Sequence, residues 1–443
     1  MSKPNILFMH SHNTGQFVQP YGHAVPTPNL QKLAEEGVLF RRAFAAAPTC
    51  SPSRAAFLTG MYPHTCGMLG LAHRGFAMPD YAPHLANFLK PHGYQTVLAG
   101  VEHTAPDTEE IGYDRILSTD DTNYPGQPDF PGAAEAVVRF LDDPPDAPFF
   151  INLGLNETHR SFPKADPKNH PAEDPRYSLP PSPLPDTPET RADAADFKAA
   201  ARIMDDSYGA VLAALERNGL AENTLVCCFT DHGLQFPRNM CNLTDQGIAV
   251  YLVIRGPGFT SGAVIDSLVS LIDLAPTVCN VAEIDIPAQV QGSSLLPLVS
   301  GKTANLRDEL FAEINYHAAY EPTRCVRTDR YKYIRRYDQR DRLVLPNADD
   351  TPSKQFLLDH DWRDQPRSQE MLYDMIYDPH EAANLAEHPE MADVLNDFRS
   401  RLDTWMRKTD DPLLPDGTVA APSGSRVNDA DGLSPREQPQ ITP

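Results

Sequence analysis

Residues 48–67 read PTCSPSRAAFLTGMYPHTCG: a cysteine, then Ser-Pro-Ser-Arg, then a short helical run. Cys50 therefore falls at a helix N-terminus, where unpaired N–H groups and the helix dipole favour a developing anion. Arg54, one turn further on, can return its guanidinium to the same point. Taken alone, a cysteine so placed is a candidate low-pKa thiolate.

Outward from this segment the chain alternates strands and helices. Residues 5–9 (NILFM) form a short apolar run bounded by polar residues, the mark of a buried strand. Further strands are predicted at 95–100, 148–155, 224–230 and 249–255, and helices at 28–36, 53–59, 83–92, 132–142, 189–218 and 272–282. This alternation over the first 300 residues implies an α/β layered domain with a large, mostly parallel sheet. In such sheets the reactive groups gather at the carboxyl ends of the strands. Beyond residue 308 the pattern changes: 309–336 alternates as a hairpin does, and 385–408 reads as an amphipathic helix ending near Trp405. The expected organisation is a catalytic domain over 1–308, a smaller C-terminal α+β subdomain with an antiparallel sheet over 309–408, and a Pro-rich acidic tail over 409–443. That tail, with few large apolar residues, is expected to be poorly ordered or to wrap the surface.

Composition narrows the function classes. With 443 residues, 41% of them apolar, the chain can build one large core or a large and a small domain. Its 60 acidic against 38 basic residues give a net charge of −22. Such a field repels polyanions, so no nucleic-acid and no membrane partner is expected, while a locally positive pocket can still hold an anionic substrate. The 43 prolines cluster in connecting stretches. Seven cysteines without framework spacing argue against a disulfide scaffold, and the absence of a CxxC pair argues against thiolate zinc sites. The N-terminus runs directly into a strand and no leader is read, so a cytoplasmic location is expected.

The full string Cys-x-Pro-x-Arg followed by Leu58-Thr59-Gly60 resembles the signature of the type I sulfatases, of the alkaline-phosphatase-like superfamily. The resemblance spans most of the chain. Pro4-Asn5-Ile6-Leu7 opens the family's first strand, TPNLQKLAEEGVLFRRAFAAAPTC leads to its nucleophile, and TLVCCFTDHG is its metal-binding strand end. RTDRYKYI and LYDMIYDPHEAANLAEHP belong to its C-terminal subdomain. FPRNMCNLTDQG, LPDTPETRADAADF, YEPTRCVRTDRYKYI and WMRKTDDPLL are most similar to the sulfamidase branch (N-sulfoglucosamine sulfohydrolases). The resemblance implies an alkaline-phosphatase-like three-layer sandwich. It also implies hydrolysis of a sulfuric ester or sulfamate, on a sulfated carbohydrate or aryl sulfate. In that family the cysteine is oxidised to formylglycine by a dedicated maturation enzyme; the hydrated aldehyde attacks sulfur and then releases sulfate. A homodimer stays open as the assembly.

The same resemblance assigns site residues, with departures. The family holds one divalent metal ion, usually calcium, with two aspartates after the first strand and an Asp-Asn pair after a later one. Here the pairs are His12-Asn13 and Asp231-His232, which with Cys50 are the expected metal ligands. Only Asp231 keeps a carboxylate, and nitrogen ligands favour manganese or zinc over calcium. The plainer reading of His12 or Asn13 is that one of them is a loop residue. The family's Gly-Lys-x-His becomes Gly100-Val101-Glu102-His103, so the histidine stays and the lysine is gone. His159, after the strand at 148–155, is the better candidate for general acid, with Cys50, Arg54 and His103 completing the catalytic set. The last basic residue of the family pocket falls on Met240, and Arg238 two positions earlier is the candidate to replace it. His64 and His73 flank the nucleophile helix and either line the pocket or fill a loop. His317, at the domain boundary, is a further substrate-binding candidate.

Two other functions compete with this reading. The same fold could act on phosphonate or phosphate esters, as Asp231-His232 and the lost lysine suggest. The eroded cation set is also compatible with a non-catalytic protein that binds sulfated sugars.

Overall fold

The computed structural model describes residues 3–117, 131–163, 171–414 and 417–443. Its central sheet has eight strands: β1 (Asn5–Ser11), β2 (Val38–Phe40), β3 (Gln95–Gly100), β4 (Arg115–Leu117), β5 (Phe149–Gly154), β6 (Thr224–Thr230), β7 (Leu252–Arg255) and β8 (Ala263–Ile265). They lie in the order β8-β2-β7-β6-β1-β5-β3-β4. All run parallel except β7, which is antiparallel to both of its neighbours.

β1 shows why this is a three-layer sandwich. Every one of its residues is buried, and alternate side chains enter different cores. Ile6 and Phe8 join Phe57 and Leu58 of α2 (Cys50–Thr59) and Leu274 and Val278 of α5 (Leu274–Val281) on one face. Leu7 and Met9 face α1 (Pro28–Glu36), α3 (Pro131–Asp142) and α4 (Pro188–Arg217) on the other. Helix α4 starts where its sequence says: Thr187 caps it reciprocally with Thr190, and Pro188 takes the first turn.

The C-terminal part forms an antiparallel sheet of β9 (Glu309–Tyr316), β10 (Tyr320–Thr328), β11 (Tyr331–Arg336) and β12 (Glu370–Asp374). Helix α6 (Ala392–Lys408) covers one face through Phe398, Leu402 and Trp405, whose ring stacks on Phe311 at 4.8 Å. The helix expected from residue 385 starts seven residues later. Leu385 N–H instead pairs with the Leu372 carbonyl at 2.8 Å, and Pro389 confines the next turn to a 3-10 helix. The strand expected at 249–255 is two pieces, Ala249–Val250 in a small separate sheet and Leu252–Arg255 in the main one, because Tyr251 N–H turns to the Gly15 carbonyl. The predicted helix at 83–92 is likewise a turn at Leu85–Phe88 and, after Leu89, a 3-10 turn at Lys90–His92, whose Pro91 has no N–H to continue the helix. No helix among the described residues is long and apolar enough to cross a membrane.

A buried charge cluster joins the two parts. Arg324 Nε and Nη2 grip Asp411 at 2.6 and 2.9 Å, and Nε lies 3.3 Å from Glu313. Glu313 accepts from the backbone N–H and from Nδ1 of His64, both at 2.7 Å. Burial alone would lower the His64 pKa, but Glu313 outweighs it and raises it above the ordinary 6.5. A histidine whose pKa is raised on folding contributes stability that is complete below its unfolded pKa and is lost as pH rises through the folded one. Unfolding free energy from urea titrations should therefore decline across that interval above pH 6.5, and His64→Gln should remove this part of the pH dependence. An unchanged slope in the variant would refute the assignment.

Candidate active site

Four neighbouring parallel strands deliver the site from their carboxyl ends. β1 presents His12 and Asn13, β6 presents Asp231 and His232, β3 leads to His103, and β5 leads to His159. The strand ladder continues into these loops: His12 N–H donates to the Glu157 carbonyl and Thr158 N–H to the His12 carbonyl, both at 2.9 Å. Gly100 permits the close approach of β3 to β5. It has φ +77°, and a Cβ there would meet the Gly154 carbonyl oxygen at 2.1 Å.

Cys50 is the first residue of α2, and its side chain is the meeting point. Its Sγ lies 2.9 Å from His12 Nε2, 3.4 Å from His232 Nε2 and 3.8 Å from Asn13 Oδ1. The helix N-terminus does not make this thiol acidic, contrary to the simplest reading of its position. Burial first, and Asp231 second, push its pKa well above the usual thiol value. An unmodified Cys50 is thus a poor thiolate nucleophile.

Arg54 is fully buried and organises the carboxylate. Its Nε and Nη2 reach Asp231 Oδ2 at 3.1 and 2.9 Å, and its Nη1 donates to the Val101 carbonyl at 2.8 Å. Asp231 Oδ1 accepts the backbone N–H groups of Asn13 and His232, both at 2.9 Å. Burial would raise the Asp231 pKa, but His232, Arg54 and these hydrogen bonds hold it below the ordinary carboxylate value. Asn13 donates from the left-handed region, at φ +64°, which asparagine tolerates better than most residues.

His12, Cys50, Asp231 and His232 offer four ligand atoms, all within 4.8 Å of one another. The individual separations of 2.9, 3.4 and 3.5 Å approach the roughly 3.4 Å edge of a tetrahedron with metal–ligand bonds near 2.1 Å. His12 Nδ1 and Asn13 Nδ2 are buried without a hydrogen-bond partner. Two imidazoles, one carboxylate and residue 50 suit a borderline divalent ion; they do not suit calcium, which takes six to eight oxygens.

The outer ring is histidine-rich. The His159 ring lies 4.4 Å from that of His12, and the His103 ring 6.5 Å from it. His103 Nε2 pairs with His73 Nδ1 at 2.8 Å. His159 Nδ1 faces the Arg160 carbonyl, and its Nε2 is 3.4 Å from Gln235 Nε2. Burial lowers the pKa of His159, with Asp349 opposing, and holds those of His103 and His317 well below 6.5. His317, on the turn between β9 and β10, lies close enough to Arg74, and then to His232, His73 and His159, for their positive charges to add to burial in lowering its pKa, and so belongs to this group.

Two predicted substrate contacts lie elsewhere. His64 turns to Glu313 and Trp405 in the charge cluster described above, because its backbone and ring are both claimed by that carboxylate. Arg238 is exposed, with φ +69°, and donates to the Pro183 carbonyl at 3.3 Å; it does not replace the cation missing at Met240. Met240 itself is packed with Phe44, Leu243 and Ile248. Val101 is buried, and Glu102 turns to His84 and Thr104 at 3.0 and 2.6 Å.

Three contributors were missed. His10 lies on β1 two residues before His12, a spacing that strand alternation makes a signal; it bonds Asn152 at 2.8 Å, and burial drives its pKa to about 3. Gln235, four residues after Asp231, accepts from Arg160 N–H at 2.7 Å and donates to Asp349. Asp349 comes from a Pro-rich connection with no sequence signal at all.

Comparison with known proteins points the same way. The sulfatase family model matches residues 4–284, and the model for the C-terminal part of N-sulphoglucosamine sulphohydrolase matches residues 231–361. Human N-sulphoglucosamine sulphohydrolase is 30% identical over 89% of this chain and 88% of its own length. An ulvan-active sulfatase of Formosa agariphila is 28% identical over 94% of this chain and 77% of its own. Among solved structures, a 2-O GAG sulfatase superposes with a TM-score of 0.70 at 23% identity, covering 93% of each chain. The phosphonate monoester hydrolase of Agrobacterium radiobacter also reaches 0.70, at 19% identity over 92% of this chain and 96% of its own.

The ligand set makes Asp231 its only permanent negative charge. Asp231→Asn should reduce bound divalent metal from about one per chain to a small fraction, measured by elemental analysis after gel filtration, with the far-ultraviolet dichroism kept. Metal retained at full stoichiometry would show that the ion lies elsewhere.

Proposed function

Because this chain belongs to the sulfatase family, we propose that it cleaves the S–O or S–N bond of a sulfated saccharide, with residue 50 oxidised to formylglycine and one zinc- or manganese-like ion. The observation that carries the reading is the position of Cys50: at the start of α2, against His12 and His232, with Asp231 held by Arg54. The names of the relatives, which include a sulphoglucosamine sulphohydrolase and an ulvan-active sulfatase, support a saccharide substrate.

An aldehyde at position 50 would supply, once hydrated, an oxygen nucleophile where the buried thiol supplies none. The ion, held by His12, Asp231 and His232 with Asn13 beside them, would supply Lewis-acid polarisation of the sulfuryl oxygens. The chain's own residues do the rest. Arg54 fixes the Asp231 carboxylate and keeps it ionised, and the first N–H groups of α2 face the charge that builds at residue 50. His159 is placed to protonate the departing oxygen or nitrogen. Its Nδ1 is anchored on the Arg160 carbonyl, so Nε2 is the nitrogen that takes up and delivers the proton. The Gln235 amide lies 3.4 Å from that nitrogen, and Asp349 accepts from the same amide.

The mass of the peptide containing residue 50 in native protein tests the core of the proposal: the aldehyde is expected, and an unmodified thiol in active protein would overturn it. Paired aryl sulfate and aryl phosphonate substrates separate the two hydrolase readings, with turnover of the sulfate expected and turnover of the phosphonate alone refuting it. A folded Cys50→Ala variant should lose all turnover, which a pure binding module would not show. After chelation, zinc or manganese should restore activity and thermal stability where calcium does not.

For substrates with a poor leaving group, kcat should fall as pH rises through the lowered His159 pKa, because the acid form is required. His159→Ala should remove that limb and cost roughly 10²–10⁴ in kcat, with little loss on a nitrophenyl sulfate. Equal losses on both substrates would remove the general-acid role.

A further inference from the structure

The pocket cations missing beside Cys50 direct attention to two arginines further out. Arg74 ends the turn Ala72–Arg74, and its guanidinium collects four oxygens: Asn428 Oδ1 at 2.7 Å and the carbonyls of Pro435, Arg426 and Ala318 at 3.2, 3.3 and 3.4 Å. Asn428 N–H in turn donates to the Ala318 carbonyl at 2.8 Å. Arg74 thus clips the tail segment around residues 426–435 to the turn that carries His317.

The clip presents Arg426. Its side chain is exposed and donates to the carbonyl of His73. His73 pairs with His103, His103 lies beside His12, and His12 touches Cys50. The exposed guanidinium is thus linked to residue 50 through His73, His103 and His12. Among the described residues the oxygens that Arg74 and Arg426 meet are carbonyl and amide oxygens and no carboxylate, although the chain carries 60 acidic residues. The two charges also press on each other: burial first, and Arg426 second, lower the Arg74 pKa. Arg54 cannot serve the same purpose, because Asp231 already neutralises it.

We propose that Arg426, held in place by Arg74, forms a distal subsite for a second anionic group, carboxylate or sulfate, on the saccharide whose sulfuryl group meets residue 50. The proposal rests on the sulfatase reading above and makes the tail a determinant of substrate choice. A polyanionic oligosaccharide would bind through both ends, and a simple monosulfate through one.

The test uses the full chain with Cys50→Ala, so that binding is measured by calorimetry without turnover. The probes are a uronate–glucosamine disaccharide bearing two sulfates, the same disaccharide with its carboxylate reduced or its second sulfate removed, and a monosulfated glucosamine. Adding Arg426→Gln should weaken the parent disaccharide about tenfold, the loss of one charged hydrogen-bonding contact, and leave the monosulfate within about twofold. Arg426→Lys should recover part of the loss. Whichever modified disaccharide becomes insensitive to Arg426→Gln identifies the group bound. Equal weakening of all probes, or none for the parent disaccharide, would overturn the subsite, as would failure of the parent to bind. If the native protein, with Cys50 in place, is never oxidised at that position and turns over no sulfate, the hydrolase reading falls, while binding that follows this pattern leaves the subsite standing.

Discussion

The ion pair of Arg54 with Asp231 is the constraint on which the site depends. Both side chains are wholly inaccessible to water. A charge placed there alone would cost several kcal/mol, so each residue requires the other. The pair does more than cancel charge. Arg54 stands one turn after Cys50 on α2 and also reaches the carbonyl after β3, whereas Asp231 ends β6 and receives the N–H of Asn13 after β1. One guanidinium therefore sets the distance between the nucleophile helix and three strand ends. Neighbouring features, including the His12 and His232 contacts with residue 50, follow from that spacing.

The electrostatics of the pocket become intelligible when gains and losses are set side by side. Relative to the family pattern, two carboxylates disappear at His12 and Asn13, and two cations disappear at Val101 and Met240. The changes compensate, so a divalent ion held there, together with Arg54 and Asp231, would present the same net charge to a sulfuryl group as the fuller set would. A histidine-rich pocket is then an alternative solution to holding an anion. Neutral imidazoles replace ion pairs, and the buried histidines, whose pKa values lie below 6.5, remain neutral as that role requires.

Much of this was legible in the sequence because it is local. Five of the eight central strands announce themselves as short apolar runs, α4 by apolar residues at helical spacing, and the Cys50 segment by Cys-x-Pro-x-Arg at fixed spacing. His103, His159, Asp231 and His232 were named through the family resemblance, and each stands just beyond a strand end. What escaped depends on contacts between distant residues. Nothing near residue 349 says that its aspartate will meet Gln235, and nothing near His64 says that Glu313, some 250 positions away, will claim it. Arg238 illustrates the reverse error: proximity in sequence to a missing cation did not bring it to the pocket, since its left-handed backbone turns it to Pro183. The C-terminal helix was placed too early because periodicity cannot see that Leu385 is recruited to pair with β12.

The burial of α2 has a consequence for the timing of biosynthesis. All ten of its residues are buried, and Cys50 itself is only 4% exposed. Another protein's active site cannot reach that sulfur once the helix has docked against the sheet. Any covalent change to Cys50 made by a separate catalyst must therefore happen while residues near 50 are still an extended strand of nascent chain. The first strand–helix unit, β1 with α1, and the strand β2 are already made by then, but β6, which brings Asp231, lies some 170 residues downstream. Until that strand is synthesised, Arg54 has no carboxylate to bind, so the ion pair that pins the start of the helix is missing even though Phe57 and Leu58 can already meet β1. The interval set by the order of elements along the chain is thus a built-in window of chemical access, one that folding itself shuts.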